Sequence, residues 1–269
     1  MIRVELIGLA RRPRTWVCLG LLCGLPALVA GFLAATRIGP APGEEPAFLS
    51  AVLANGALFP AAALAIVLPV FLPVVVAVVG GDTIAGEANA GTLRYLLLRS
   101  VSRTRLLIAK LLGLSLFVLV AVIAVAASGY LIGVTLFPAQ PSAVTSVSGV
   151  TLTTGQLVLR IIATTLYIAI SMLGLGAIAL FLSTFTDSPL AATIGALATM
   201  ITSQVLVTLD AASAVHPYLP TRYWLAWIDF FRDPIAWRNI DRGLAIQMIY
   251  LLVFLGAAWA NFATRDVQS

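Results

Sequence analysis

Apolar residues are concentrated in six long runs that short polar segments separate. The runs cover residues 16–36, 58–79, 111–137, 157–182, 190–209 and 244–262. A helix needs about 20 mostly apolar residues to cross the hydrocarbon core of a bilayer. Since lipid offers the backbone no hydrogen-bond partners, each crossing must be helical. The pattern predicts an all-α polytopic membrane protein with about six transmembrane helices, forming a single transmembrane domain over residues 1–269.

Two polar segments carry enough apolar side chains to form helices at the membrane surface. Ile2 to Arg14 alternates apolar residues with arginines, which predicts an amphipathic N-terminal interface helix. Between the fifth and sixth runs, Trp224, Trp227 and Phe231 recur at helical spacing. Aromatic rings favour the headgroup layer, so we expect a helical segment on or in the outer leaflet. An aromatic patch that binds substrate is the alternative.

The second run contains Pro60, Pro69 and Pro73. Proline removes a backbone donor and kinks a helix, and the carbonyls it frees need partners inside the bilayer. This predicts a bent helix packed in protein near a moving or substrate-lining region. Against this, proline is common in membrane helices and need not mark function.

Composition supports the membrane assignment. The chain is 61% hydrophobic and 10% charged, whereas a soluble domain carries about 25% charged residues. The net charge of +5 indicates membrane orientation rather than nucleic-acid binding, because the basic residues flank the apolar runs. With the amino terminus inside, the two densest basic clusters are cytoplasmic, so both termini are predicted cytoplasmic. A twin-arginine signal at Arg11 and Arg12 is opposed by the length of the first run and the five runs that follow.

Few side chains offer site chemistry. Cys18 and Cys23 lie in the first run and project from different sides of a helix, and His216 is the single histidine. We therefore expect neither a metal site nor catalytic residues. Arg160 stands near one end of the fourth run, where it is expected to snorkel towards the interface.

The most informative polar segment separates the second and third runs. Thr92 can cap a short helix on which Leu93, Leu96 and Leu97 share one face, and Ser102 can cap the next helix. A short helix with an apolar face, held between two spans, suits docking into a groove on a partner protein. An interface helix with snorkelling arginines fits the same residues, and the pattern alone leaves both open.

This segment resembles a known family. Glu87-x-x-x-Gly91-Thr92-Leu93-x-x-Leu96-Leu97, then Val101-Ser102-Arg103 and Lys110, is similar to the permease subunits of ATP-binding cassette (ABC) transporters of the ABC-2 exporter type. The carboxyl end also resembles this family, at Leu219-Pro220, Asp233-Pro234 and Arg265-Asp266-Val267. Ser100 departs from the pattern, since proline is frequent at that position.

The resemblance implies a cytoplasmic coupling helix between spans two and three. It places the coupling residues at Glu87, Gly91, Thr92, Leu93, Leu96, Leu97, Ser102 and Arg103. It also implies a pair of permeases, as two copies of this chain or with a paralogue, and two separate ATPase subunits that bind ATP and magnesium. The expected location is the bacterial inner membrane, with lipid as the other partner.

The chain itself offers no nucleotide site. A phosphate-binding loop reads Gly-x-x-x-x-Gly-Lys-Ser/Thr, and the nearest string, Gly81 to Gly86, continues with Glu87. We therefore expect a permease that is not an enzyme. One rival is a secondary transporter, disfavoured because the six apolar cores hold no ionisable side chain for a coupling ion. The other is a membrane-embedded enzyme, disfavoured because the carboxylates are scattered.

Candidate substrate contacts lie in the fifth run. Thr199, Thr202 and Ser203 form a polar helical face there, and the resemblance makes spans two and five the walls of the cavity. Hydroxyls that bond back to their own helix are the alternative. A pathway with so little charge favours an amphipathic or lipophilic cargo, such as a drug, an antibiotic or a lipid.

Overall fold

The computed structural model describes residues 8, 11–36, 48, 52–53, 55–91, 103–137, 144–145 and 151–264. Six helices in these ranges are long and apolar enough to cross a membrane. The prediction of an all-α, multi-pass membrane protein is therefore confirmed. The N-terminal stretch expected as an interface helix lies mostly outside the described residues.

Seven α-helices form the described bundle. They are α1 Pro13–Thr36, α2 Phe59–Val67, α3 Phe71–Asn89, α4 Arg103–Leu136, α5 Thr154–Ser183, α6 Pro189–Thr208 and α7 Trp237–Thr264. Short 3-10 helices lie at Gly56–Leu58, Asp210–Ala212, His216–Tyr218 and Trp224–Phe231, and β1 Val144–Thr145 pairs antiparallel with β2 Thr151–Leu152. The centre of the bundle is α3, α4 and α5, because most of each apolar window there is buried, whereas α1, α6 and α7 are peripheral.

The second crossing is made by two helices, not by the single run 58–79. Helix α2 ends at Val67 and α3 begins at Phe71. Pro73 has no N–H to donate to the carbonyl of Pro69, four residues earlier. Instead, Gln204 Nε2 of α6 donates to Pro69 O at 3.1 Å. The bend expected from the prolines is present, and a neighbouring span supplies the hydrogen bond that the bend removes.

Two helices run further into the polar segment than the apolar pattern indicates. Helix α3 continues to Asn89, and α4 already begins at Arg103 rather than at residue 111. The polar side chains on these extensions pair with one another, which lets the helices continue through them. The remaining connection is residues 90–102, of which 92–102, with the predicted coupling helix, lie outside the described residues.

One end of the bundle collects the polar contacts between helices, and we call it the charged end. It holds the start of α1, the end of α3, the start of α4, the turn from α5 to α6 and the end of α7. Arg103 Nη1 donates to Phe262 O at 2.9 Å, and Asn261 Nδ2 donates to Thr184 O at 3.0 Å. Both ends of the segment 92–102 therefore emerge at the charged end. We call the opposite end of the bundle the far end.

At the far end, small residues allow backbones to touch. A Cβ on Gly56 would collide with the backbone oxygen of Gly133, and a Cβ on Gly129 would meet the Ala63 side chain and the Pro60 backbone. Close approach through glycine is a common packing mode of membrane helices. These contacts fasten the start of the second crossing to the end of α4.

The aromatic segment between α6 and α7 is helical, and most of its rings are buried in the protein. Trp227 and Phe231 are fully buried, and Tyr167 of α5 packs edge-on against Phe230. Tyr167 also donates a hydrogen bond to Tyr223 O at 2.6 Å. The rings thus form part of the protein core, which removes the basis for an exposed aromatic substrate patch.

Candidate functional site

Five ionisable side chains meet inside the charged end, and we call them the charge cluster: Arg12, Arg14, Asp82, Glu87 and Lys110. Asp82 Oδ2 accepts from Arg12 Nη1 at 2.5 Å and also from Arg14 Nη2. Glu87 Oε1 lies 3.2 Å from both Arg12 Nη2 and Lys110 Nζ. Arg12 therefore bridges the two carboxylates, and the cluster joins α3 to α4 and to the start of α1.

Asp82 and Lys110 are the most deeply buried members of the cluster. The side chains of Asp82 and Lys110 are 6% and 3% exposed, whereas those of Arg12 and Arg14 are 31% and 44% exposed. A buried charge is costly unless a partner of opposite sign compensates it. Here three cations surround two carboxylates, so each buried charge has a partner, and removing one member disturbs the others.

Neighbouring small residues position Asp82. A Cβ on Gly86, one turn later on α3, would collide with the Asp82 carboxylate, so glycine is required for the carboxylate to lie along the helix. On the other side, Ser183 Oγ accepts hydrogen bonds from the backbone N–H groups of Ile84 and Ala85 at 3.0 and 2.8 Å. The end of α5 is thereby fastened to the same turns of α3 that carry the cluster.

The predicted coupling residues divide into two groups. Glu87 lies in the charge cluster, Gly91 ends the helix region of α3 with a φ of +68°, and Arg103 opens α4. The left-handed conformation at Gly91 favours glycine. The others lie outside the described residues: Thr92, Leu93, Leu96, Leu97 and Ser102.

Sequence reasoning did not assign a role to Asp82, Arg12 or Arg14. The second apolar run, 58–79, holds no ionisable side chain and ends at Val79, so the pattern places Asp82 in a polar segment. In the structure, α3 continues past this run and carries Asp82 as a buried residue instead. A carboxylate three residues after an apolar run was the available signal, because such a group needs a cation nearby.

A pocket near the far end brings together the three candidate substrate residues. It has a volume of about 410 Å³ and is lined by Ala198, Thr199, Thr202, Ser203, Leu206, Leu219, Pro220 and Tyr250. Thr199 Oγ1 bonds back to Gly195 O at 2.9 Å, as the alternative interpretation expected. Ser203 Oγ instead pairs with Thr221 Oγ1 at 2.7 Å, while Thr202 is exposed. Apart from the four hydroxyls of Thr199, Thr202, Ser203 and Tyr250, the lining is apolar, and it holds no charged group.

Hydrogen bonds hold the outer wall of this pocket in place. Gln247 Nε2 of α7 donates to Pro220 O at 2.6 Å, and Tyr250 Oη donates to Tyr218 O at 3.0 Å. The segment that covers the pocket is thus attached to α7, while its floor is α6.

Comparison with known sequences identifies a family but no activity. Residues 47–268 match the family described as "Protein of unknown function (DUF2705)". That range covers the charge-cluster residues of α3 and α4 and the whole pocket, and well over half of the chain. No curated protein matches the sequence significantly.

Proposed function

The chain belongs to the DUF2705 family, whose function is unknown, and we propose that it is the membrane subunit of an ABC transporter. In this proposal it forms the substrate pathway with a second permease, as a homodimer or with a paralogue. Separate ATPase subunits bind ATP and magnesium and supply the energy, so the chain itself is not an enzyme. The charged end faces the bacterial cytoplasm, and the cargo is an amphipathic or lipophilic molecule.

The observation that carries the proposal is the position of Glu87. It belongs to the sequence pattern that resembles ABC-2 permeases, and it lies where α3 leaves the bundle towards the segment 92–102. Glu87 contacts Lys110 of α4 and Arg12. A displacement of the segment 92–102 pulls directly on α3 and α4, and the ion pairs carry that displacement to α1. The charge cluster is thus suited to transmit a movement of the ATPase to the crossing helices.

The pocket supports the proposed class of cargo. Its walls are apolar side chains and hydroxyls, which bind neutral polar groups without compensating a charge. Helix α6, which carries Thr199, Thr202 and Ser203, also contacts the bend of the second crossing through Gln204 and Pro69. A movement of α3 therefore reaches the pocket through a direct contact.

Buried Asp82 favours an ion-coupled carrier as a second candidate. Carriers driven by protons or ions keep carboxylates inside the membrane region, and Asp82 is 4% exposed. However, Asp82 pairs with two arginines, so uptake of a proton would first have to break an ion pair. The source of energy separates the two candidates.

Transport into sealed vesicles tests both candidates. Vesicles that contain the chain and its ATPase are incubated with an uncharged fluorescent amphipathic dye such as Nile red, with ATP or a proton gradient as the energy source. We expect ATP-dependent transport. Glu87→Ala and Gly91→Trp should abolish transport while ATP hydrolysis and membrane insertion continue.

The matched control is Asp241→Asn, which removes an exposed carboxylate from α7 and should transport normally. Wild-type transport by both Glu87→Ala and Gly91→Trp would contradict the assigned coupling role. Transport that follows the proton gradient and ignores ATP would replace the ABC proposal with the carrier.

A further inference from the structure

Arg160 is a buried arginine with one guanidinium nitrogen, Nη1, that has no partner in the described part of the chain. It lies in the second turn of α5 and is 7% exposed. Burial of an uncompensated charge is strongly unfavourable. An arginine in this state indicates that an anion belongs beside it.

Thr164 lies one turn further along the same face of α5 and also has an unused hydroxyl. It is fully buried, and its Oγ1 finds no partner within the described ranges. Threonines in helices often donate to the carbonyl four residues earlier, as Thr165 does to Ile161 O at 2.8 Å. Thr164 does not, so its hydroxyl is available to a ligand next to Arg160.

The segment that packs against Tyr167, about two turns beyond Arg160 on α5, holds further unpaired donors. Tyr167, on the same face of α5, contacts the segment Trp224–Phe231. In that segment Trp224 and Trp227 both have buried Nε1 donors that are unpaired within the described structure. The buried carboxylate there, Asp229, is already engaged by Arg232 Nε at 2.7 Å and by Asn239 Nδ2 at 2.9 Å. Unused N–H and O–H donors without an acceptor favour an anionic ligand.

The depth of Arg160 fits a headgroup. Helix α5 has 30 residues, which at 1.5 Å per residue is about 45 Å, the thickness of a bilayer with its headgroups. Arg160 lies six residues from the far end of α5, about 9 Å along the axis. That is close to the boundary between the hydrocarbon core and the headgroup layer, where the phosphates of lipids are within reach.

We propose that Arg160 and Thr164 form a binding site for a phosphate oxyanion, the headgroup phosphate of a phospholipid. The guanidinium provides charge and paired N–H donors in the geometry that phosphate accepts, and the Thr164 hydroxyl adds a third donor. The site is about 35 Å along α5 from Ser183 at the charged end. It is therefore separate from the charge cluster and independent of the proposed transport function.

Native mass spectrometry of the full chain in detergent tests the site. One arm titrates dioleoylphosphatidylglycerol and the other titrates inorganic phosphate, which distinguishes a lipid from a free anion. We expect one phospholipid per chain to bind the wild type. Arg160→Gln should weaken binding about tenfold or more, the scale of one charge-assisted hydrogen bond. The shape-conserving Thr164→Val should weaken it by a smaller factor.

Arg222→Gln is the matched control, because Arg222 is an exposed arginine in the segment after α6, and it should bind like the wild type. Binding of either probe that depends on Arg160 or Thr164 supports the site, and the arm in which it occurs identifies the source of the phosphate. If Arg160→Gln does not fold, Thr164→Val decides the question. Equal binding by the wild type and both variants, or no binding by the wild type in either arm, would overturn the proposal.

Discussion

Asp82→Asn tests most directly whether the ion pairs of the charge cluster hold the start of α1 against α3. The change keeps the shape of the side chain and removes the charge that Arg12 and Arg14 share. A hydrogen bond to a charged group contributes about 1.5–3 kcal/mol. Because the arginines are 31% and 44% exposed, solvent screening reduces each contribution to about 1 kcal/mol. We therefore expect a loss of about 2 kcal/mol.

At about 2–4 °C per kcal/mol for a chain of this size, that loss lowers Tm by about 4–8 °C. The chain offers its own reporter of α1, since its two cysteines, Cys18 and Cys23, both lie in that helix and are partly buried. A thiol-reactive fluorescent dye added during heating in detergent records their release. Asp241→Asn, on the exposed face of α7, serves as the control and should melt like the wild type. An Asp82→Asn protein with an unchanged Tm would refute the claim that the ion pairs fasten α1.

Two further predictions concern packing and the bend. Gly133→Ala places a methyl group against the backbone oxygen of Gly56 and should lower the free energy of unfolding by about 2–3 kcal/mol. The control Gly256→Ala places its methyl group in open space and should not change stability measurably. Equal melting of the two variants would contradict the close contact. Gln204→Leu leaves the partly buried Pro69 carbonyl without its donor and should cost about 1 kcal/mol, measured by the same dye. A Gln204→Leu protein as stable as the wild type would show that the bend does not need this hydrogen bond.

The number of crossings and their approximate places were predictable from hydropathy, but the ends of the helices were not. The fourth apolar run covers residues 157–182, whereas α5 begins at Thr154. Thr153 caps it, and Gln156 returns a hydrogen bond in a capping box. An apolar run marks the part of a helix that lies in lipid, whereas polar caps extend the helix beyond it. Helix α7 likewise starts at Trp237 rather than at residue 244, because its first turns carry polar residues that lie outside the apolar run.

The candidate site was predictable only where a local pattern marks it. Glu87 was identified from its motif, and the pocket residues Thr202 and Ser203 from their spacing. The pairing of Asp82 with Arg12 joins positions 70 residues apart, and neither residue carries a local signal of that contact. Charge balance was the available basis for predicting this contact, because a carboxylate inside an apolar helix requires a cation on the same side of the membrane. The basic cluster before α1 meets that requirement.

In the proposed transporter, the segment between α3 and α4 binds an ATP-hydrolysing partner. A photo-crosslinking amino acid at position 96, introduced into the full chain in native membranes, tests it most directly. We predict a covalent adduct with a protein that binds and hydrolyses ATP, and no such adduct from position 225, an exposed site near the far end. An adduct with the ATPase from position 225 but not from position 96, or adducts with lipid alone from both, would contradict the account.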